Sequence, residues 1–447
     1  MASTAKLISD ILKFYKDIPD AVLEKTADLV LDALGIVIAG SQTIEGRLAA
    51  DFVEEFGGRG QATVIGRQGY LDPARAALAN GTMGYSIGLT DTHSLSITHP
   101  GASVVPAALA VAQQENCSGL DFLRAVTMGY EVVTRLGTAI NPSNRARGFH
   151  TSAVCNPFGA ATAAALLLGA DEDRLAWALG NAGSMSGGLF EFRAGGDMTM
   201  AFHGGWPAHS GVTAAYLARH GFTGPRTVLE GQDGFLRAMA DQYDGEALHR
   251  NFGQTYGVEE MSFRAYCACR YAHTAIGALE NIKERSGGLE VEQIEEVLVE
   301  THRTAIIQET EPKNLTGARL CSAFNIALSL VYGPRLTEIL PEDLGDPRIQ
   351  AVYGKIRMVE DPAMTKEFPR LWTSRVLVKL KNGTTMEDTL DHAKGDPLNP
   401  MTSAEIKAKF ESVAGAVLKP ANTRAIVQNR DCLRLQSVRE FLEPLVL

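Results

Sequence analysis

Asp91, Thr92, His93 and His99 lie together in the stretch LTDTHSLSITHPGASVVP, residues 89–106. Imidazole takes up and releases a proton near neutral pH, so two imidazoles beside a carboxylate and several hydroxyls suit acid and base chemistry. Pro100 disfavours helix at the residue before it, which puts His99 in an extended or turn segment ahead of a helix predicted from about Ser103. The N-terminus of that helix favours anions and opposes protonation of a nearby imidazole, as a general base requires. The same pattern fits a plainer account, in which Asp91, Thr92 and Ser103 cap helices and the histidines are solvated.

Three further clusters could join it. His150, in ARGFHTSAVCNPFG, precedes a run of small apolar residues and is predicted to face the interior at a helix start. EFRAGGDMTMAFHGGWPAHSG carries Arg193, Asp197, His203 and His209 among glycines, whose flexible backbone lets N–H groups approach a carboxylate. MSFRAYCACRYAHTAIGA holds Arg264, Tyr266, Cys269, Arg270 and His273. Guanidinium groups there suit bidentate binding of carboxylates. Cys269 has no nearby acid to orient a base for it, so covalent catalysis is not expected. Nor is there a Walker or dinucleotide-binding pattern. The six cysteines, at 117, 155, 267, 269, 321 and 432, match no zinc-binding spacing. They read as reduced thiols, mostly buried, and no structural metal is expected.

These groups must be held by the elements around them. DAVLEKTADLVLDALGIVIAG keeps apolar residues at helical spacing from a cap at Asp20 to a stop at Gly40. LDPARAALANGTMGYSIG opens on Asp72 as cap, with Pro73 in the first helical position. GLDFLRAVTMGYEVVTRLG continues the helical pattern, and CNPFGAATAAALLLG is apolar enough to predict a central, fully buried helix. The character changes near residue 260. EQIEEVLVETH and SRVLVKLKNGTTMEDTLD alternate apolar and polar residues, the second with Asn382-Gly383 as a two-residue hairpin turn. ARLCSAFNIALSLVYG reads as one buried helix, and Thr402 with Glu405 as the capping box of a returning helix. The expected fold is mainly α, with a large all-helical domain from residues 1–262 and 402–447 and a smaller α+β domain from residues 263–401.

With 447 residues, 45% hydrophobic and 21% charged, the chain can bury a large core. A net charge of −10 without a basic run argues against nucleic acid or an anionic membrane as partner. It leaves room for an anionic substrate met by a few converging cations. MASTAKLISD lacks a signal pattern and no window suits a membrane span, so a cytoplasmic protein is expected.

Taken together, DTHSLSITHPGASVVPAALA, RGFHTSAVCNPFGAATAAALLLG, EFRAGGDMTMAFHGGWPAHSGVTAAYLARHGFTGP, FRAYCACRYAHTAI and KGDPLNPMTSAEIKAKF resemble the MmgE/PrpD family, in family order over nearly the whole length. That family includes 2-methylcitrate dehydratase, cis-aconitate decarboxylase and iminodisuccinate epimerase. The resemblance implies a helical large domain with a smaller α+β lid, a homodimer, a small di- or tricarboxylate substrate, and no obligatory metal or organic cofactor. It matches family histidines to His99 and His150 and a family threonine to Thr92. The substrate-binding candidates are Asp91, His93, His203, Arg264, Tyr266, Cys269 and Arg193. Some expected residues differ. Gly88 and Thr90 stand where the family's first loop carries aspartates, Met200 and Arg264 stand for lysines, and Asn325 stands for a tyrosine.

The expected function is a cofactor-independent lyase, dehydratase or decarboxylase, with His99 and His150 as an acid and base pair of near-neutral pKa. A racemase or epimerase using the same two histidines is the second reading. A member that has lost catalysis and binds its carboxylate is the third.

Overall fold

The computed structural model describes residues 3–307, 312–335, 339–430 and 437–445. Cys432 lies outside them. The fold is mainly α, and the chain forms two compact units. Met1–Phe190, Thr199–Met261 and Thr402–Leu447 make the first; Glu191–Met198 and Ser262–Met401 make the second. No described helix is long and apolar enough to cross a membrane.

In the first unit, small residues set the distances between helices. Thr151–Leu167 is buried along its whole length, because its alanines, serine and glycine let neighbours close in on every side. A Cβ on Gly159 would stand 2.5 Å from the carbonyl oxygen of Gly129, in the crossing helix Gly119–Ile140. The helix Thr199–Arg219 crosses Pro73–Met83 just as closely. A Cβ on Gly204 would lie 2.3 Å from the Gly81 carbonyl oxygen and 2.8 Å from the Tyr85 Cβ. That crossing brings Tyr85, just past the end of one helix, to the helix that carries His203.

The segment read from sequence as flexible glycines is therefore rigid from Thr199 onward, its glycines serving close packing. The C-terminal helix Ser403–Gly415 packs on Asp20–Gly40, where Gly35 makes room for the Phe410 ring. Lys409 Nζ meets Asp32 Oδ1 at 2.7 Å, with both side chains almost wholly buried.

The caps follow local chemistry. The Asp72 side chain accepts from Arg75 N–H with Pro73 in the first turn, and Thr402 with Glu405 forms the predicted capping box. Two boundaries differ from expectation. Pro19, extended at ψ 147°, takes the cap position before Asp20–Gly40, so Asp20 sits in the first turn, where its charge suits the helix dipole. The helix predicted from Ser103 begins at Gly101, because Pro100 already has helical backbone and the Asp91 carboxylate accepts from Gly101 N–H.

The second unit is built on a four-stranded sheet with the strands ordered Ile356–Glu360, Ile294–Thr301, Ser374–Leu380, Thr385–Leu390. The first pair is parallel and the others antiparallel. Val297, Val299, Val376 and Val378 point to one face and bury against Ala275, Leu279 and Ile282 of the helix His273–Ser286. The hairpin loop is one residue longer than predicted. Leu380 and Thr384 pair across Lys381-Asn382-Gly383, and Gly383 takes the left-handed φ of +86° that this turn needs. The single helix expected over 318–333 is broken at extended Cys321 into Leu315–Leu320 and Ser322–Tyr332. The Asn325 amide donates to the carbonyls of Ala318 and Cys321 at 2.9 and 2.7 Å, satisfying the acceptors that the break exposes.

Candidate active site

His99 is held from three sides. His93 N–H donates to the Thr98 carbonyl at 2.9 Å and Ile97 turns through a φ of +53°, closing a tight loop just before it. Its own N–H donates to Ser152 Oγ, and its carbonyl accepts from Asn156 Nδ2, both on the buried helix Thr151–Leu167. The ring is fixed as well. Nδ1 lies 2.7 Å from the Asp91 carbonyl oxygen and 3.2 Å from Thr92 Oγ1. A carbonyl has no hydrogen to give, so Nδ1 carries the proton and the neutral ring keeps its lone pair on Nε2. A half-buried imidazole in that tautomer is arranged as a base.

His150 precedes the helix Thr151–Leu167, and its N–H is tied to the Gly188 carbonyl at 3.0 Å. Its Nε2 lies 3.0 Å from the Tyr85 hydroxyl, and its Nδ1 lies 2.9 Å from Nδ1 of His203, on which it stacks. Two imidazole nitrogens can share a hydrogen bond only when one of them carries the proton. Burial, helped by His203, His99 and Arg145, pulls His150 well below the usual histidine value, and burial pulls His203 down to about 4. Both rings are therefore neutral at pH 7. This corrects the near-neutral pKa expected for His150, since an imidazolium there would lose its water and face other cationic groups. The Tyr85 ring stands between the two histidines, 5.6 Å from His99 and 5.7 Å from His150 between centroids.

The remaining first-loop candidates hold the loop itself. Asp91 accepts from Gly101 N–H at 3.1 Å and from the Tyr130 hydroxyl at 2.7 Å. Gly101 is needed there, because a Cβ would stand 2.7 Å from the Tyr130 oxygen. His93 bonds Ser96 Oγ through Nδ1 and Glu260 through Nε2, both at 2.8 Å, which leaves neither nitrogen for a ligand. The Thr90 hydroxyl donates to the Gly84 carbonyl and Gly88 has a left-handed φ of +70°, so both shape the turn after the helix Pro73–Met83. Met200 is buried one turn before His203. His209 is bound to the Ala74 carbonyl and stacked on Trp206.

Arg264, Tyr266, Cys269 and Arg193 belong to the second unit. Arg264 and Cys269 are buried, Tyr266 is half-buried, and Arg193 lies half-exposed in the short helix Phe192–Gly195. Arg270 is 5% exposed and only loosely paired with Asp396, at 3.4 Å. Its Nε and Nη1 have no hydrogen-bond partner among the described residues, and burial, reinforced by Arg264, lowers it to about 10. A buried cation with unused donors is suited to an anion. No disulfide joins the described cysteines, and no group of three or more His, Cys, Asp or Glu among the described residues could hold a metal ion.

Tyr85, Ser152 and Asn156 were not marked by sequence reasoning. Tyr85 reads as an aromatic at the end of an apolar helix, and its partner His150 is 65 residues away.

The MmgE/PrpD N-terminal domain matches residues 9–247 and the MmgE/PrpD C-terminal domain matches residues 266–435. A cis-aconitate decarboxylase-like protein of Aspergillus oryzae is 28% identical, over 96% of this chain and 94% of its own. The cis-aconitate decarboxylase of Homo sapiens is 24% identical, over 92% and 87%. The 2-methylcitrate dehydratase of Cupriavidus necator is 28% identical, over 52% and 51%. With both domains present in order, the protein belongs to the MmgE/PrpD family, an enzyme family whose relatives named here are lyases.

Proposed function

We propose that the protein removes carbon dioxide or water from a small di- or tricarboxylate without a cofactor, with the buried His150 on the acid side and, for the loss of water, His99 as base. The observation that carries this reading is the fixed tautomer of His99, whose Nδ1 is committed to the Asp91 carbonyl at 2.7 Å. The names of the relatives support the substrate class. Within the second unit, Arg264 and the buried Arg270 are cations of the kind that bind a carboxylate. Thr92 steadies the base, 3.2 Å from the same nitrogen.

Incubation with cis-aconitate, 2-methylcitrate, citrate, isocitrate and iminodisuccinate in D2O, followed by proton NMR, tests the proposal. Lost carbon dioxide or water is expected from at least one acid. Deuterium entering unreacted substrate without such loss would make the protein an epimerase, and tight binding without turnover would make it a binding protein.

We also infer a homodimer. Ile44, Leu48, Phe52 and Phe56 recur every fourth residue along the helix Ile44–Phe56, each 51–62% exposed. An exposed apolar stripe of this kind fits a second copy of the chain.

A further inference from the structure

We propose that Tyr85, His150 and His203 form a proton relay in which the Tyr85 hydroxyl is the group that protonates the substrate. The proposal rests on the lyase reading and deepens it by naming the acid. His150 is poorly placed to be that acid itself, since its Nε2 faces the Tyr85 oxygen at 3.0 Å and its Nδ1 faces His203 at 2.9 Å. What enters at one nitrogen must leave from the other. The arrangement joins a phenol to two stacked imidazoles, all three of them buried, with Tyr85 also against the ring of the base His99.

One set of hydrogen positions satisfies both bonds and makes the Tyr85 oxygen the acceptor, as the relay requires. His203 Nδ1–H donates to His150 Nδ1, and His150 Nε2–H donates to the Tyr85 oxygen. In a dehydration, His99 Nε2 takes the C–H proton and that electron pair becomes the new double bond. The C–O bond breaks with its pair on oxygen, and the oxygen takes the Tyr85 proton and leaves as water. In a decarboxylation, the carbon that loses carbon dioxide takes the same proton. In either case the His150 Nε2 hydrogen moves to the Tyr85 oxygen and the His203 Nδ1 hydrogen moves to His150 Nδ1. His203 Nε2 then takes a proton from solvent. In a dehydration, His99 returns a proton to solvent, while a decarboxylation consumes one from it. Every relay residue ends neutral with its tautomer reversed, and exchange with water after product release resets the chain.

One feature favours this route over one that stores charge. Burial holds His150 and His203 neutral at pH 7, so tautomer exchange is the way they can carry a proton along the two hydrogen bonds.

The test combines kinetics with nitrogen-15 NMR of protein labelled at histidine. On an acid that the wild type turns over, Tyr85→Phe should lower kcat by about 10²–10⁴-fold with little change in KM. A plot of kcat against deuterium fraction should be bowed for wild type, as several protons move together, and straight for His203→Phe. In the spectra, Tyr85→Phe should shift the ring resonances of His150, which the Tyr85 hydroxyl bonds, and also those of His203 one bond further on. Folded Tyr85→Phe with unchanged turnover overturns the proposal, and so do His203 resonances that ignore Tyr85→Phe. If the wild type turns over none of the five acids, the lyase reading fails, and the spectra still decide whether the relay exists.

Discussion

Nδ1 of His150 and Nδ1 of His203 face each other at 2.9 Å inside a buried stack, so folding favours the neutral form of both rings. The unfolded chain takes up protons at these histidines near pH 6.5, whereas folded His203 resists until about pH 4. Stability from this source is complete above about pH 6.5 and is lost as the pH falls toward 4. The loss approaches roughly 3 kcal/mol for His203. Urea unfolding at pH 7 and pH 4.5 should show the decline, with a shallower pH dependence for His203→Phe. An equally steep dependence in that variant would contradict the assignment.

The Asp32 and Lys409 pair ties the C-terminal helix to Asp20–Gly40 with 2% and 1% of the side chains exposed. Removing one partner leaves a buried charge without its counter-ion. Asp32→Ala should therefore lose about 3–5 kcal/mol in urea unfolding. The double variant Asp32→Leu with Lys409→Met should recover most of that loss, because neither charge then needs a partner.

Gly204 lets the helix Thr199–Arg219, which carries His203, approach Pro73–Met83 and the Tyr85 that follows it. Gly204→Ala should cost about 1–3 kcal/mol through overpacking. It should also lower kcat, although it removes no group that carries a proton. Gly245→Ala is the control, since a Cβ there meets nothing within 4 Å. Thermal melts and turnover of the two variants side by side check the claim; equal behaviour would count against it.

The exposed stripe from Ile44 to Phe56 predicts how the protein associates. Wild type should sediment near twice its chain mass of 48.0 kDa, and Leu48→Glu with Phe52→Glu near one chain mass. A wild type that sediments as a single chain would remove the homodimer.

Much of the helical scaffold is legible because its signals are local. Asp72-Pro73 and Thr402 with Glu405 are complete within one turn, and the apolar run after Cys155 has no polar face to expose. His99 and His150 stand out through their place before helices. Their chemistry does not, because it depends on distant partners: the Asp91 carbonyl fixes one tautomer, and His203 with Tyr85 occupies the other ring. His93 shows the opposite error. It sits in the same polar loop as His99, yet Ser96 and Glu260 take both its nitrogens, and Glu260 is 167 residues away. The break at Cys321 is hidden for a similar reason, since Asn325 supplies the bonds that make it tolerable and reads in sequence only as a polar residue in an apolar helix.

The most direct test of the account is the turnover of His99→Ala. The variant should keep the wild-type circular dichroism and lose about 10²–10⁴-fold in kcat on whichever hydroxy acid the wild type dehydrates. A folded His99→Ala protein that releases water at the wild-type rate would contradict the assignment of His99 as the base.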